Sequence, residues 1–408
     1  NELTGSIPAG IGNLTALQTL NLSTNALTGN IPRQTGLLNS LTVLVLNTNY
    51  LNGTLPSSMT QLTKLEVLLV HHNNVTSDPD DAFHFISKNS SITALDISEN
   101  EFSGTMPDDL FTTYLPRIET FAASSNCYRG SLPSSICSAS NLKTLVLSGL
   151  SSGKTCRNNI WNETIFHGYF TGYTAKVYIE GTLPQCIFTL GSLVELYAGG
   201  NGILGELPQI ISPKLQKISL PYNALNATLP PLLAAGKNLT LLDLSHNRLG
   251  GGLQQAFEEE GSIGAGDELD LRLRVNNLSG DIPESLQSFK KIDILVGNVF
   301  DCSYSKESLP GNDHSKDGYH CGSNLLNLSM YSFIFILVVA LIILAKTMSD
   351  VKYSGELKLW VWAAEGKKEF NVGVGVTHIY NYYNHIYGVV RMSLKIGAML
   401  VVVLIAYL

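Results

Sequence analysis

Charge is scarce in this chain: Asp, Glu, Lys and Arg make up 14% of its 408 residues, and the 26 basic side chains are outnumbered by 33 acidic ones. With a formal net charge of −7 and no basic excess, a surface built to neutralise nucleic-acid phosphates is excluded. Low charge beside 44% hydrophobic residues also excludes a disordered chain, which needs the opposite balance. No nucleophile with a partnered base stands out, so an enzyme is not expected. The chain lacks an initiating Met and a signal peptide, and its last apolar run stops at the final residue; both ends are expected to be truncated.

Motifs for cofactors and metals fall short as well. SGLSSGKT at 148–155 puts its first Gly at 149 where a phosphate-binding loop needs it at 148, and no helix pattern follows. Asp313, Ser315, Asp317 and Gly318 match the first half of a calcium loop, but the twelfth position is Asn324 rather than Glu. The adjacent His71 and His72 read as ligand-facing surface rather than a metal site. Glu258–Glu260 read as a solvated loop, and His378 and His385, in a Tyr-rich stretch, as part of an aromatic belt at a membrane interface. No cofactor and no metal are expected.

What the chain has in quantity is a repeat. LQTLNLSTNALTGNIP, LTVLVLNTNYLNGTLP, ITALDISENEFSGTMP and LQKISLPYNALNATLP share the frame L-x-x-L-x-L-x-x-N-x-L-x-G-x-[IL]-P in whole or part. Its Asn falls at 1, 25, 49, 73, 100, 126, 201, 223, 247, 276 and 298, with Leu150 and Val177 standing where two more units have lost it. That spacing predicts thirteen units, the first lacking its strand. In LQTLNL the leucines alternate with polar residues, so Leu20 and Leu22 face one side of a short strand while Thr19 and Asn21 face the other. No unit buries its leucine face alone; stacked in parallel, the units make one apolar column. The frame Asn sits where the chain turns away and can satisfy backbone groups of adjacent turns. The fold class expected is an α/β solenoid, a leucine-rich repeat horseshoe with short parallel strands on its concave face.

Residues 325–348 contain an apolar run long enough to cross a hydrocarbon core of about 30 Å and are read as a transmembrane helix. The expected organisation is therefore a solenoid over 1–300 with an irregular insert near 151–176, a Cys-containing cap over 301–324, the helix at 325–348, a juxtamembrane segment at 349–393, and the start of a second, truncated membrane helix at 394–408. Residues 1–330 hold 19 basic and 29 acidic side chains; those after 330 hold 7 and 4, which by the positive-inside rule suits a cytoplasmic segment.

The N-x-L-x-G-x-I-P element at a 24-residue period resembles the plant-type leucine-rich repeat class of receptor-like proteins, receptor kinases and polygalacturonase-inhibiting proteins. The resemblance covers residues 1 to about 300 and implies extracellular recognition on the concave face. The sequence departs from receptor kinases in having no Gly-rich loop, HRD or DFG motif after 349. Six cysteines fit an oxidising compartment. Cys302 closes the last repeat and Cys321 follows it, which suits a capping disulfide. Cys127, Cys137, Cys156 and Cys186 allow three pairings, with Cys127–Cys156 preferred because adjacent units bring those positions close. The insert carries Trp161, Phe166, Tyr169, Phe170 and Tyr173, read as packing over the solenoid edge, with a partner anchor as the alternative.

Ten N-x-[ST] sequons precede residue 330 and none follows it: Asn13, Asn21, Asn52, Asn74, Asn89, Asn162, Asn226, Asn238, Asn277 and Asn327, the last crowded by the bilayer. On the concave face the strand frame places the candidate ligand contacts Val43, Val45, Asn47, Val67, Leu69, His71, His72, Asp96, Glu99, Tyr197, Tyr222, Asp243, Arg272 and Arg274. Val43, Val45, Val67 and Leu69 form an exposed apolar strip. Charge is expected only toward the C-terminal end, where Arg272 and Arg274 either fork a ligand carboxylate or sulfate or pair with Asp243 and Asp270. Partners expected are an extracellular peptide, glycan or protein, membrane lipid around the anchor, and a co-receptor. The favoured reading is a membrane-anchored receptor-like or adhesion protein at the plasma membrane, repeats outside and the C-terminal segment cytoplasmic. The alternatives are the ligand-capture domain of a larger multi-pass sensor or transporter, and an inhibitor of extracellular hydrolases.

Overall fold

The computed structural model describes residues 1–78, 81–153, 156, 181–231, 238–257, 268–302, 305–322 and 333–339. The chain divides into two compact units, Asn1–Leu328 and Ser329–Leu408. Of the second only 333–339 are described; they are helical, and no described helix is long and apolar enough to cross a membrane. Most of the expected span at 325–348, the segments 349–393 and 394–408, His378, His385, Glu258–Glu260, Asn162, Asn327 and the insert's aromatics lie outside the described residues.

In the first unit the leucine alternation produces one parallel sheet of eleven three-residue strands. In order these are Thr19–Asn21, Val43–Val45, Val67–Leu69, Ala94–Asp96, Thr120–Ala122, Thr144–Val146, Glu195–Tyr197, Lys217–Ser219, Leu241–Asp243, Asp270–Arg272 and Lys291–Asp293. The central residues stack in register, Leu20 on Leu44 on Leu68 and so on, and from Leu44 onward each is at most 5% exposed. Each such fully buried side chain contributes about 1.5–3 kcal/mol. After each strand the chain turns at the frame Asn and pairs briefly again on the flank, as in Ala26–Asn30, Tyr50–Thr54 and Asn74–Thr76. It then passes a Pro whose carbonyl opens a short 3₁₀ turn, as Pro32 does for Thr35 N–H at 2.9 Å. The ring fixes φ there, and the ladder needs no donor from that position.

The sheet corrects the unit count. Thr144–Val146 pairs directly with Glu195–Tyr197, so no strand stands between them and the unit counted at Val177 has no place in the array. The frame positions 150 and 201 are therefore neighbours in the array, and Thr182 pairs on the flank with Leu204 of the next unit.

What joins the units is the frame Asn. Asn49 Nδ2 donates to Leu22 O of the preceding unit at 3.0 Å and to Leu46 O of its own at 3.1 Å, while its Oδ1 accepts Leu27 N–H at 3.0 Å. Asn73, Asn100, Asn126, Asn223, Asn247, Asn276 and Asn298 repeat that pattern, and Asn201 bridges to Leu147 O and Leu150 N–H at 2.8 Å each. At the one rung that lacks Asn, the Leu150 carbonyl itself takes the Tyr128 N–H at 2.9 Å. A disulfide ties Cys127 to Cys156 beside that rung. A second joins Cys137 to Cys186, and a third joins Cys302 to Cys321 with Cα atoms 5.5 Å apart. Around the third, Tyr319 donates to Asn298 O at 3.0 Å and accepts Phe300 N–H at 2.7 Å, closing the apolar column over fully buried Phe300 and Leu309.

Asn247→Leu keeps the volume but strands the buried Leu225 N–H and removes one of the two amide donors that Leu220 O and Leu244 O each accept, and is expected to cost about 1–3 kcal/mol. Asn25→Leu, at the half-exposed first rung, is expected to cost less. Denaturation midpoints of the two variants beside the parent chain check both the size and the order.

Candidate ligand-binding face

The outward residues on either side of each central leucine form two columns across the sheet. Val43 lies beside Val67, and Val45 beside Leu69, so the expected apolar strip is a two-by-two block of half-buried side chains. It ends abruptly: Leu69 is followed in register by Asp96. His71 Nδ1 stands 3.0 Å from Asp96 Oδ2, and His72 Nδ1 stands 2.6 Å from Glu99 Oε2.

Charge is not confined to the C-terminal end. Lys143 pairs with Glu119 at 2.7 Å and Lys217 with Glu195 at 3.0 Å, both in the middle of the array. Sequence spacing hides these pairs because partners lie one unit apart, and unit length varies. At the C-terminal end Arg272 grips Asp270 in a fork, Nε to Oδ1 at 2.9 Å and Nη2 to Oδ2 at 2.7 Å. Arg274 Nη1 lies 3.5 Å from Asp293. Asp243 stands in register beside Arg272 and acts on it through its charge, while its carboxylate takes the Ser245 N–H and hydroxyl. Both arginine side chains stay open, 48% and 42% exposed.

Some of the expected contacts leave the strands. His72, Glu99 and Tyr222 each occupy the residue before a frame Asn, at φ of 56°, 52° and 56°. Thr24, Thr48, Ser125, His246, Val275 and the glycines 149, 200 and 297 share that conformation, so a ridge of left-handed residues borders the concave sheet. A side chain costs most there when bulky, so the position reads as glycine or asparagine; here Tyr, His, Glu and Val fill it and the signal is lost in sequence. Asn47, His71 and Tyr197 remain on the concave side, half-buried.

Beyond the ridge, on the flank, a cleft of about 350 Å³ is lined by Thr48, Tyr50, His72, Asn74, Glu99, Glu101 and Ser125, among others. Asn74 of this lining begins a sequon and lies in register with Asn52, which begins another. Asn13, Asn21, Asn52, Asn74, Asn89, Asn226, Asn238 and Asn277 are all exposed. Only Asn21 lies on a concave strand, where its Oδ1 accepts the Ser23 N–H and hydroxyl.

For a metal, the donor atoms of Asp293, Asp313 and His314 lie within 4.8 Å of one another. The buried Asp313 carboxylate is already committed: Oδ2 accepts Ile294 and Leu295 N–H, and Oδ1 accepts Ser315 N–H. The calcium-loop half-match thus serves as a cap on the last strand.

His71 is held above its ordinary value of 6.5, chiefly by its contact with Asp96 and against the effect of burial. Burial works against the Asp96 carboxylate, yet His71 and the Ser98 N–H hold it below 3.8. The His71 contribution to stability is present below pH 6.5 and lost as pH rises through its raised value. The Asp96 contribution is present above 3.8 and lost as pH falls through its lowered one. An imidazole titration followed by NMR is expected to place His71 above 6.5, and Asp96→Asn is expected to lower it; an unmoved midpoint in that variant contradicts the pair.

The Leucine Rich Repeat family model matches residues 238–259. Two curated relatives from Arabidopsis thaliana are Receptor-like protein 18, 29% identical over 165 residues, and Receptor-like protein 35, 32% identical over 160. Those matches take in 40% and 38% of this chain but only 19% and 14% of the relatives, so the chain spans a small part of either. Among solved structures, the plant peptide hormone receptor RGFR1 in complex with RGF2 matches with TM-score 0.57 and 26% identity, over 74% of this chain and 43% of that one. With the repeat frame and the Asn ladder, these likenesses identify a leucine-rich repeat solenoid that is similar, over the matched part, to plant receptor-like proteins.

Proposed function

We propose that this is a membrane-anchored receptor-like protein whose concave sheet binds an extracellular peptide or protein segment, with signalling left to a co-receptor. The observation that carries the reading is the layout of the face: an apolar block at Val43, Val45, Val67 and Leu69, and two open guanidinium groups at Arg272 and Arg274. Seven strand spacings separate them, about 34 Å, which an extended peptide of about ten residues spans. An apolar side chain suits the first end and a terminal carboxylate the second. Asp270 uses two of Arg272's donors, leaving the rest of the fork for a ligand. The similarity to a peptide hormone receptor in complex with its ligand supports a peptide over a rigid protein surface. Anchoring rests on the apolar segment 325–348 and on sequons of which nine precede it, one (Asn327) lies at its start and none follows it, which supports repeats outside the plasma membrane and the Lys-rich segment at 349–393 in the cytoplasm.

A library of synthetic ten-residue peptides, each made with a free and an amidated C-terminus, tests the reading on the full chain. Binders are expected to weaken by about 10- to 100-fold on amidation and to the same degree in the Arg272→Ala, Arg274→Ala double variant, without a change in melting temperature. Equal affinity of free and amidated forms contradicts the carboxylate anchor. In sealed vesicles, protease added outside is expected to cut one side of 325–348 only, and cutting on both sides removes the proposed topology.

A further inference from the structure

Where the C-terminal cap meets the last concave strand, Asp293, Asp313 and His314 each bring a donor atom to within 4.8 Å of the others. Asp293 ends the strand Lys291–Asp293, and Asp313 and His314 lie in the turn that closes over it. Asp313 is buried, and its Oδ2 is filled by the Ile294 and Leu295 N–H groups at 2.8 and 3.1 Å. Among the described residues its Oδ1 accepts the Ser315 N–H alone, at 2.9 Å, which leaves one lone pair on that oxygen. The capping role thus does not exhaust the carboxylate. The three backbone donors instead hold it in one orientation, so the remaining lone pair has a fixed direction.

Asp293 carries the unsatisfied atom. Its Oδ2 lies 3.5 Å from Arg274 Nη1, but its Oδ1 is enclosed and has no hydrogen-bond partner among the described residues. An enclosed carboxylate oxygen is costly unless a donor or a cation faces it. Burial holds the Asp293 carboxyl above its ordinary 3.8; the charge of Asp313 adds to this, and Arg274 and His314 oppose it. Two carboxylates this close repel unless positive charge stands between them, and Arg274 stands at the other oxygen. His314 is exposed, so its ring is free to turn toward the pair.

We propose that Asp293 Oδ1, Asp313 Oδ1 and the His314 imidazole form a binding site for a divalent transition-metal ion of the zinc type, with water completing its coordination. Two carboxylate oxygens and one imidazole nitrogen suit zinc, whereas calcium and magnesium take oxygen donors alone. Tetrahedral zinc at about 2.0–2.2 Å from each ligand sets the donor atoms about 3.4 Å apart, so the His314 ring closes by no more than about 1.5 Å. The ligands come from two segments that meet only in the fold, which is why no spacing in the sequence joins them. A bound ion ties the cap to the last concave strand and stabilises that junction in the folded chain alone.

Zinc chloride titrated onto the full chain in detergent tests the proposal, read by calorimetry, by the His314 ring signals in NMR and by the melting temperature. Saturable binding with Kd below about 10 µM is expected, with the His314 signals shifting in step. At about 100-fold excess over Kd the melting temperature is expected to rise by about 3 °C. Variants separate this site from the other histidines. Asp293→Asn keeps the shape and His314→Ala changes an exposed position, and each is expected to weaken binding by about 100-fold. Asp317→Asn, in the same turn but outside the three ligands, is expected to bind as the parent does. The Arg272→Ala, Arg274→Ala variant is expected to keep zinc binding, so this site and the carboxylate anchor stand or fall separately. The proposal is overturned if zinc does not saturate by about 100 µM, if either Asp293→Asn or His314→Ala binds undiminished, or if calcium binds equally well and leaves the His314 signals unmoved.

Discussion

Each unit of this protein is too small to bury its own leucines, and the side-chain amide of the frame Asn is what lets the next unit do it. One buried amide binds the carbonyl of its own strand, the carbonyl of the strand before and an N–H of the preceding turn. Without it the N–H would be enclosed without water, at a cost of about 1–3 kcal/mol, and each carbonyl would keep only the amide of the neighbouring rung, as Leu22 O keeps that of Asn25 and Leu46 O that of Asn73. The amide therefore sets both the spacing and the register of the sheet. Because the register is fixed, outward residues from consecutive units line up in columns, and any ligand meets columns rather than single residues.

The ladder also explains where the array accepts irregularity. At position 150 the Asn is gone, and a backbone carbonyl, a disulfide and a close-packed turn at Gly153 stand in for it. The Asn201 amide then reaches back across the whole insert to Leu147 and Leu150. An excursion of that length is tolerated because only its two ends need to meet the ladder, and the entropic cost of a longer loop grows slowly. The charged pairs along the face follow the same geometry: Glu119 with Lys143 and Glu195 with Lys217 are neighbours because their units are. Exposed pairs of this kind contribute little to stability, about 0–1 kcal/mol, so they bear on which ligands the face admits.

Much of this was legible in the amino-acid sequence. The alternation in LQTLNL and the recurring Asn determine the strands, the core and the direction of the outward residues, and the apolar block and arginine fork follow from that frame. Unit counting failed at Val177 because the stretch from Leu150 to Asn201 has nearly the length of two repeats, so spacing alone could not separate an insert from a unit. The placement of His72, Glu99 and Tyr222 on a ridge was hidden for a different reason. Their backbone is imposed by the turn around the following Asn, and the residues themselves carry no preference for it. Ion pairs between units were equally hidden, since Asp96 and His71 meet only when two strands of different repeats stand side by side.

The central claim is that the eleven strands form one uninterrupted face despite the insert. Hydrogen–deuterium exchange resolved to single amides tests it most directly, through the N–H groups that donate to the frame carboxamides. The amides of Leu27, Leu51, Val75 and Phe102 before the insert, that of Leu150 at it, and those of Leu225, Leu249 and Leu278 after it are predicted to exchange slowly and with similar protection. Fast exchange at Leu150 with slow exchange on both sides would contradict the account, because it would divide the array into two separate faces.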